Sequence, residues 1–130
     1  MKILGIDYGR KKIGLALADT SLGVVEPLLT LPFLGFLKEI SGIVSRYEFK
    51  KIVIGNPGGL IEKEIFEFGK KIKKETGLEV DFHDETLTTV DAQKVLLQSG
   101  KKRKQRQKKE DAIAAALMLE SYLEGGVNNV

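Results

Sequence analysis

The sequence predicts an α/β domain built on a five-stranded mixed sheet flanked by helices. Three observations lead there. Short runs rich in Ile, Leu and Val recur at strand length, and the first three follow one another with no helical stretch between them. From residue 33 onward, segments with helical apolar spacing alternate with strands. An initial meander followed by β-α-β crossovers puts antiparallel and parallel pairs into one sheet, with helices on its faces.

Residues 2–9 carry Ile3, Leu4 and Ile6 before a Tyr-Gly turn. A second apolar run, 13–18, follows a charged Gly-Arg-Lys-Lys connection, so the two read as a hairpin. Residues 24–31 contain Pro27, which cannot donate to a ladder, and this places the third strand at an edge. Phe33, Phe36, Leu37, Ile40, Val44 and Tyr47 recur at helical spacing and lead to a short buried strand, 51–54. The loop 55–59 suits either a tight turn or a phosphate nest of backbone amides, without the Lys-Ser/Thr ending of a P-loop. Ile61, Ile65, Phe68 and Ile72 then mark a second helix, which Gly77 stops, and 78–83 forms the fifth strand. A third helix is expected from Thr88 or Thr89 to Gln98, and a last one over about 110–124. No repeat or linker interrupts this order, so residues 1–130 are expected to form one domain.

The chain has no cysteine, which excludes disulfides and thiolate zinc sites and leaves oxygen or imidazole as metal donors. The N-terminal stretch turns charged within ten residues, unlike a secretory signal or a spanning helix, so a soluble cytoplasmic protein is expected, without a membrane. The formal charge of +3 conceals an uneven distribution. Lys101, Lys102, Arg103, Lys104, Arg106, Lys108 and Lys109 supply seven of the 21 basic residues, leaving 14 against 18 acidic ones. The positive field thus comes from one segment, which is either a solvated loop or a nucleic-acid-binding element.

In sheets of this kind ligands collect beyond the carboxyl ends of the parallel strands. Asp7 lies near the end of the first strand, and Asp84 and Glu85 follow the last. A carboxylate so close to a core strand needs a cation, with Arg10 or Lys12 as structural candidates. Asp111 heads the stripe Ala115, Met118, Tyr122, so it should point toward the sheet, although an acid in a first helical turn could simply oppose the macrodipole. Asp84 and Glu85 are adjacent and project differently, so one of the two is expected to enter a shared site. Three converging carboxylates would repel one another unless divalent cations bound between them. Oxygen ligation favours Mg²⁺ or Mn²⁺, and two such ions about 4 Å apart can hydrolyse a phosphodiester. His83, the single histidine, reads as a local hydrogen-bonding residue.

Three segments together resemble the YqgF/RuvX family of Holliday junction resolvases and pre-16S rRNA nucleases. They are Gly5-Ile6-Asp7-Tyr8-Gly9 through Ile13-Gly14, then His83-Asp84-Glu85-Thr86-Leu87-Thr88-Thr89, and Glu110-Asp111-Ala112-Ile113-Ala114-Ala115. The resemblance spans nearly the whole chain. It implies a ribonuclease H-like fold and carries Asp7, Glu85 and Asp111 over as catalytic and metal-binding acids. It also implies processing of the 5′ end of pre-16S rRNA ahead of Holliday junction resolution. Thr86 stands where the family usually has arginine, and Gly55-Asn56-Pro57 where it has Gly-Leu-Pro. Pre-rRNA or branched DNA is the expected partner, and a symmetric junction would call for a homodimer. Two other readings compete. Asp7-Tyr8-Gly9 also looks like the phosphate motif of actin-like ATPases, which need two domains where 130 residues offer one. A non-catalytic RNA-binding module would use the basic segment alone.

Overall fold

The computed structural model describes residues 1–84 and 103–128, with side chains over 1–84 and 110–125. The strands are β1 (Lys2–Asp7), β2 (Lys12–Asp19), β3 (Val24–Pro32), β4 (Phe49–Asn56) and β5 (Glu79–Asp84). The helices are α1 (Phe36–Tyr47), α2 (Glu62–Thr76), preceded by a 3-10 turn at Gly59–Ile61, and α3 (Arg103–Asn128). The helix expected between Thr88 and Gln98 falls outside the described residues.

The sheet order is β3-β2-β1-β4-β5. β1 pairs antiparallel with β2, and β2 with β3, while β4 runs parallel to both β1 and β5. The mixed five-stranded sheet is therefore as expected, and β3 with its Pro27 is indeed an edge. The parallel strands all end on one side, where Asp7, Asn56 and Asp84 stand.

Alternation along the strands sorts the core into two layers. Leu4, Ile6, Ile13, Leu15, Ile52 and Ile54 face α1 and α2, which contribute Phe36, Ile40, Ile65, Phe68 and Ile72. Each such side chain contributes about 1.5–3 kcal/mol on burial. The other face is built of smaller groups, with Ile3, Ala16, Ala18 and Val53 under Ala115, Ala116, Met118 and Leu119 of α3. Gly5 belongs to this second face, since a Cβ on it would lie 3.0 Å from Leu119 Cδ2.

The strands differ from the expected ranges by one or two residues at their ends, and two helices start elsewhere than expected. α1 begins at Phe36, after Gly35 in the left-handed region (φ 83°). Phe33 precedes the helix and packs with Tyr8 and Phe68 in an aromatic group. α3 begins at Arg103 rather than near Glu110, so Arg103, Lys104, Arg106, Lys108 and Lys109 occupy its first two turns. That part of the basic segment is helix, not loop.

Candidate active site

Asp7 is the last residue of β1 and shares the parity of Ile3 and Gly5, the face that α3 covers. Its register partner on β2 is Gly14. A Cβ on Gly14 would lie 2.0 Å from the carbonyl oxygen of Asp111, 2.2 Å from its carbonyl carbon and 2.9 Å from the Ala112 nitrogen. The backbone of α3 therefore rests directly on β2, with only a glycine between them. One cross-strand spacing, about 4.5–5.5 Å, separates Asp7 from the residue on which Asp111 sits. The fold thus sets the backbone of Asp111 one strand away from Asp7. Gly14 is the residue that sequence reasoning passed over: a glycine inside an apolar strand run signals a close backbone approach.

Asp111 is half-buried, and its carboxyl pKa is pushed up, first by burial and then by the charge of Glu110, while Lys12 pulls it down. Because α3 starts at Arg103, Asp111 lies eight residues in, about 12 Å along the axis. The macrodipole acts within the first turn, so it gives this acid no reason to be there. A carboxylate kept in a desolvated position without helix-end support is suited to receiving a cation.

The third expected acid lies outside the described residues. Asp84 ends β5 on the parity of Val80 and Phe82, which pack toward the α1/α2 layer, so it stands on the face opposite Asp7 and Asp111. Glu85 lies outside the described residues, as do Thr86, Lys101 and Lys102. Among the described residues, no three acidic or imidazole side chains form a metal-binding group.

Arg10 is not available as a dedicated counter-ion for Asp7. Its Nε donates to both Glu64 carboxylate oxygens, at 3.2 and 3.1 Å, and its second terminal nitrogen lies 3.1 Å from Oε1. The Tyr8 hydroxyl donates to the same carboxylate. Burial, then the bond to Glu64, push the Tyr8 pKa up to about 12, while Arg10 and Tyr8 hold Glu64 below its ordinary value. This triad fastens the segment after Asp7 to α2. Lys12 is the cation whose field reaches Asp111.

The loop after β4 is a turn rather than a nest: the Gly58 amide donates to Asn56 Oδ1 at 2.9 Å, and Gly58 and Gly59 have φ of 77° and 73°. His83 is a local hydrogen-bonding residue, with Nε2 3.0 Å from Ser121 Oγ. No helix among the described residues is long and apolar enough to cross a membrane.

With the geometry in place, comparison with known proteins decides the family. The sequence matches the RuvX family, described as Holliday junction resolvase, over residues 1–125. The chain belongs to the RuvX family. A Lactococcus lactis relative (strain IL1403) is 35% identical over 95% of this chain and 94% of its own. A Rickettsia typhi relative is 37% identical over 93% and 83% respectively. Both are provisionally named pre-16S rRNA nuclease. In three dimensions the chain is similar to the fowlpox virus Holliday junction resolvase, with TM-score 0.61 and 17% identity over 96% of this chain and 99% of that one. Thermus thermophilus RuvC in complex with a Holliday junction substrate gives 0.59 and 16%, covering 97% of both chains. These neighbours give the ribonuclease H-like fold, and membership of the RuvX family places the chain among nucleases.

Proposed function

We propose that this chain is a metal-dependent nuclease that matures the 5′ end of pre-16S rRNA in the cytoplasm, as one domain spanning residues 1–130. Asp7, Glu85 and Asp111 would hold two Mg²⁺ or Mn²⁺ ions. The observation that carries this reading is the seating of Asp111 on Gly14 beside Asp7, two carboxylates at the carboxyl end of the parallel strands. The donor set fits such ions: it is all oxygen, and burial makes the Asp111 charge costly until a cation arrives. Glu85 is preferred to its neighbour Asp84 in this reading because Asp84 stands on the α1/α2 face of β5, away from Asp7. When bound, the ions supply Lewis acidity that activates water and stabilises the leaving oxygen. Asp7 and Asp111 fix the direction of the site from two rigid elements. Lys12, beside Asp111, adds positive charge where a scissile phosphate would approach. The basic start of α3, with Lys101 and Lys102, holds the nucleic-acid backbone alongside.

The relatives' names favour pre-rRNA, and the family's description keeps a four-way junction as the second reading. The test is a panel of pre-16S 5′ fragments and four-way junctions incubated with Mg²⁺ or Mn²⁺. Wild type should cleave the RNA, while Asp7→Asn, Glu85→Gln and Asp111→Asn should bind it without cleaving. Junction cleavage by a dimer, seen by light scattering, with intact RNA would select the second reading. Near wild-type turnover by Asp7→Asn would refute the triad.

A further inference from the structure

Among the described residues, three loops leave the sheet at its carboxyl end: 8–11 after β1, 33–35 after β3 and 57–61 after β4. β3 shares the direction of β1 because each is antiparallel to β2, and the sheet order sets the second and third loops on either side of the first. Contacts draw them together. The Phe33 amide donates to the Lys11 carbonyl at 2.9 Å, and the Phe33 and Tyr8 rings meet edge to face, 5.9 Å apart. Glu64, one turn beyond Leu60, accepts from both Tyr8 and Arg10. The two most exposed large apolar side chains among the described residues stand here, Leu34 at 87% and Leu60 fully exposed. Between them the loops carry Arg10 and Lys11 and no acidic residue.

The Arg10 side chain is 70% exposed and yet fixed, since Nε and Nη2 are both bonded to Glu64 and Tyr8 holds that carboxylate from its other side. An exposed ion pair adds little stability. What it does is hold the guanidinium in one orientation with Nη1 outside both bonds, and a fork already oriented loses less entropy on meeting a phosphate. Leu34 and Leu60 contribute no core packing, whereas covering them with a ligand would release the water they order. A cation with an apolar tip on each side matches nucleotides, which join an anionic phosphate to a flat base. In a duplex the base faces are stacked on one another, so such tips would meet only ribose and phosphate; an unpaired strand offers the faces themselves. We propose that these three loops bind an unpaired stretch of the nucleic-acid substrate, with Arg10 on a phosphate and Leu34 and Leu60 against neighbouring bases. The surface lies on the α1/α2 side of the sheet, opposite α3, and is therefore separate from the basic start of that helix. This inference rests on the nuclease reading above.

Fluorescence anisotropy of the full-length chain in EDTA tests it without cleavage, using a labelled, unstructured RNA of about 12 nucleotides, single-stranded or annealed to its complement. Wild type should bind the single strand more tightly than the duplex. The Leu34→Ser/Leu60→Ser double variant should bind the single strand about tenfold more weakly and keep its duplex affinity within about twofold. Arg10→Gln should flatten the single-strand slope of log affinity against log salt by about 0.7, the contribution of one phosphate. Since the replaced side chains are exposed, both variants should melt close to wild type. If the double variant does not melt cooperatively, Leu60→Ser alone carries the comparison, with an expected loss of about threefold. A wild-type preference for duplex, undiminished single-strand binding by the leucine variant, an equal loss on both RNAs, or an unchanged slope in Arg10→Gln would each overturn the proposal while leaving the nuclease reading in place. If wild type binds neither RNA, that reading falls and this inference with it.

Discussion

Replacing Gly14 with alanine puts a methyl group into the contact on which α3 rests. The new Cβ would stand 2.0 Å from the Asp111 carbonyl oxygen, while real Cβ contacts essentially never fall below 3.0 Å. The obstructing atoms are backbone, so no rotamer change relieves them, and the helix must withdraw by about 1 Å or β2 must bend. Overpacking of this kind costs about 1–3 kcal/mol. For a domain of this size that corresponds to a fall in Tm of roughly 3–15 °C. A displacement near 1 Å at Asp111 should also lower cleavage by about 10²-fold. Gly5→Ala is the graded control, because its closest obstruction is the Leu119 side chain at 3.0 Å and the nearest backbone atom is at 3.3 Å. Scanning calorimetry of both variants in EDTA, with far-UV dichroism to confirm the fold, gives the comparison. A Gly14→Ala melting temperature within about 1 °C of wild type, or a larger loss in Gly5→Ala, would refute the seating argument.

Asp111 titrates above its ordinary value in the folded chain, so the native state binds more protons there than the unfolded state. Its contribution to stability therefore declines as pH rises from the ordinary carboxylate range through the raised value. In EDTA at neutral pH, Asp111→Asn should melt higher than wild type, and Mg²⁺ should raise the wild-type Tm alone; equal melting in EDTA would contradict this. Tyr8→Phe removes the hydroxyl bond to Glu64 and should cost about 1 kcal/mol in denaturant unfolding. The tyrosinate absorbance missing from that variant should be the part that develops only toward pH of about 12. Replacing Lys101, Lys102, Arg103 and Lys104 with Gln should flatten the slope of log affinity against log salt by about one to three units. Residual cleavage at saturating substrate should survive, and an unchanged slope would move the binding surface elsewhere.

The parts of the fold legible in the sequence were those whose signal is local. Pro27 marked an edge strand because a missing N–H is a property of one residue. The stripe through Ile65, Phe68 and Ile72 marked α2, and Gly77, at φ 71°, ended it. The start of α3 was not legible, because residues 101–109 hold no apolar side chain to set a period and no capping residue. Arg, Lys and Gln nevertheless favour helix, and α3 runs on through them from Arg103. The contact that seats the Asp111 helix was also hidden, since it depends on the β1–β2 register that sets Gly14 opposite Asp7. Arg10 was a candidate partner for Asp7, and only the packing of α2 shows Glu64 in its fork.

The unequal size of the residues on the two faces of the sheet has a consequence for how the chain can vary. On the α1/α2 side, Leu, Ile and Phe can change rotamer to absorb a neighbour's altered volume. Beneath α3, Gly5, Gly14, Ala16 and Ala18 lie against a helix face that includes Ala115 and Ala116, and none of these six has a side-chain torsion to adjust. Substitutions on the first face are thus accommodated locally, whereas on the second they displace a whole helix and the acid it bears. Sequence drift should accumulate on one side of the sheet while the other stays nearly constant. A deep mutational scan would show this as two tolerance classes alternating residue by residue along β1 and β2.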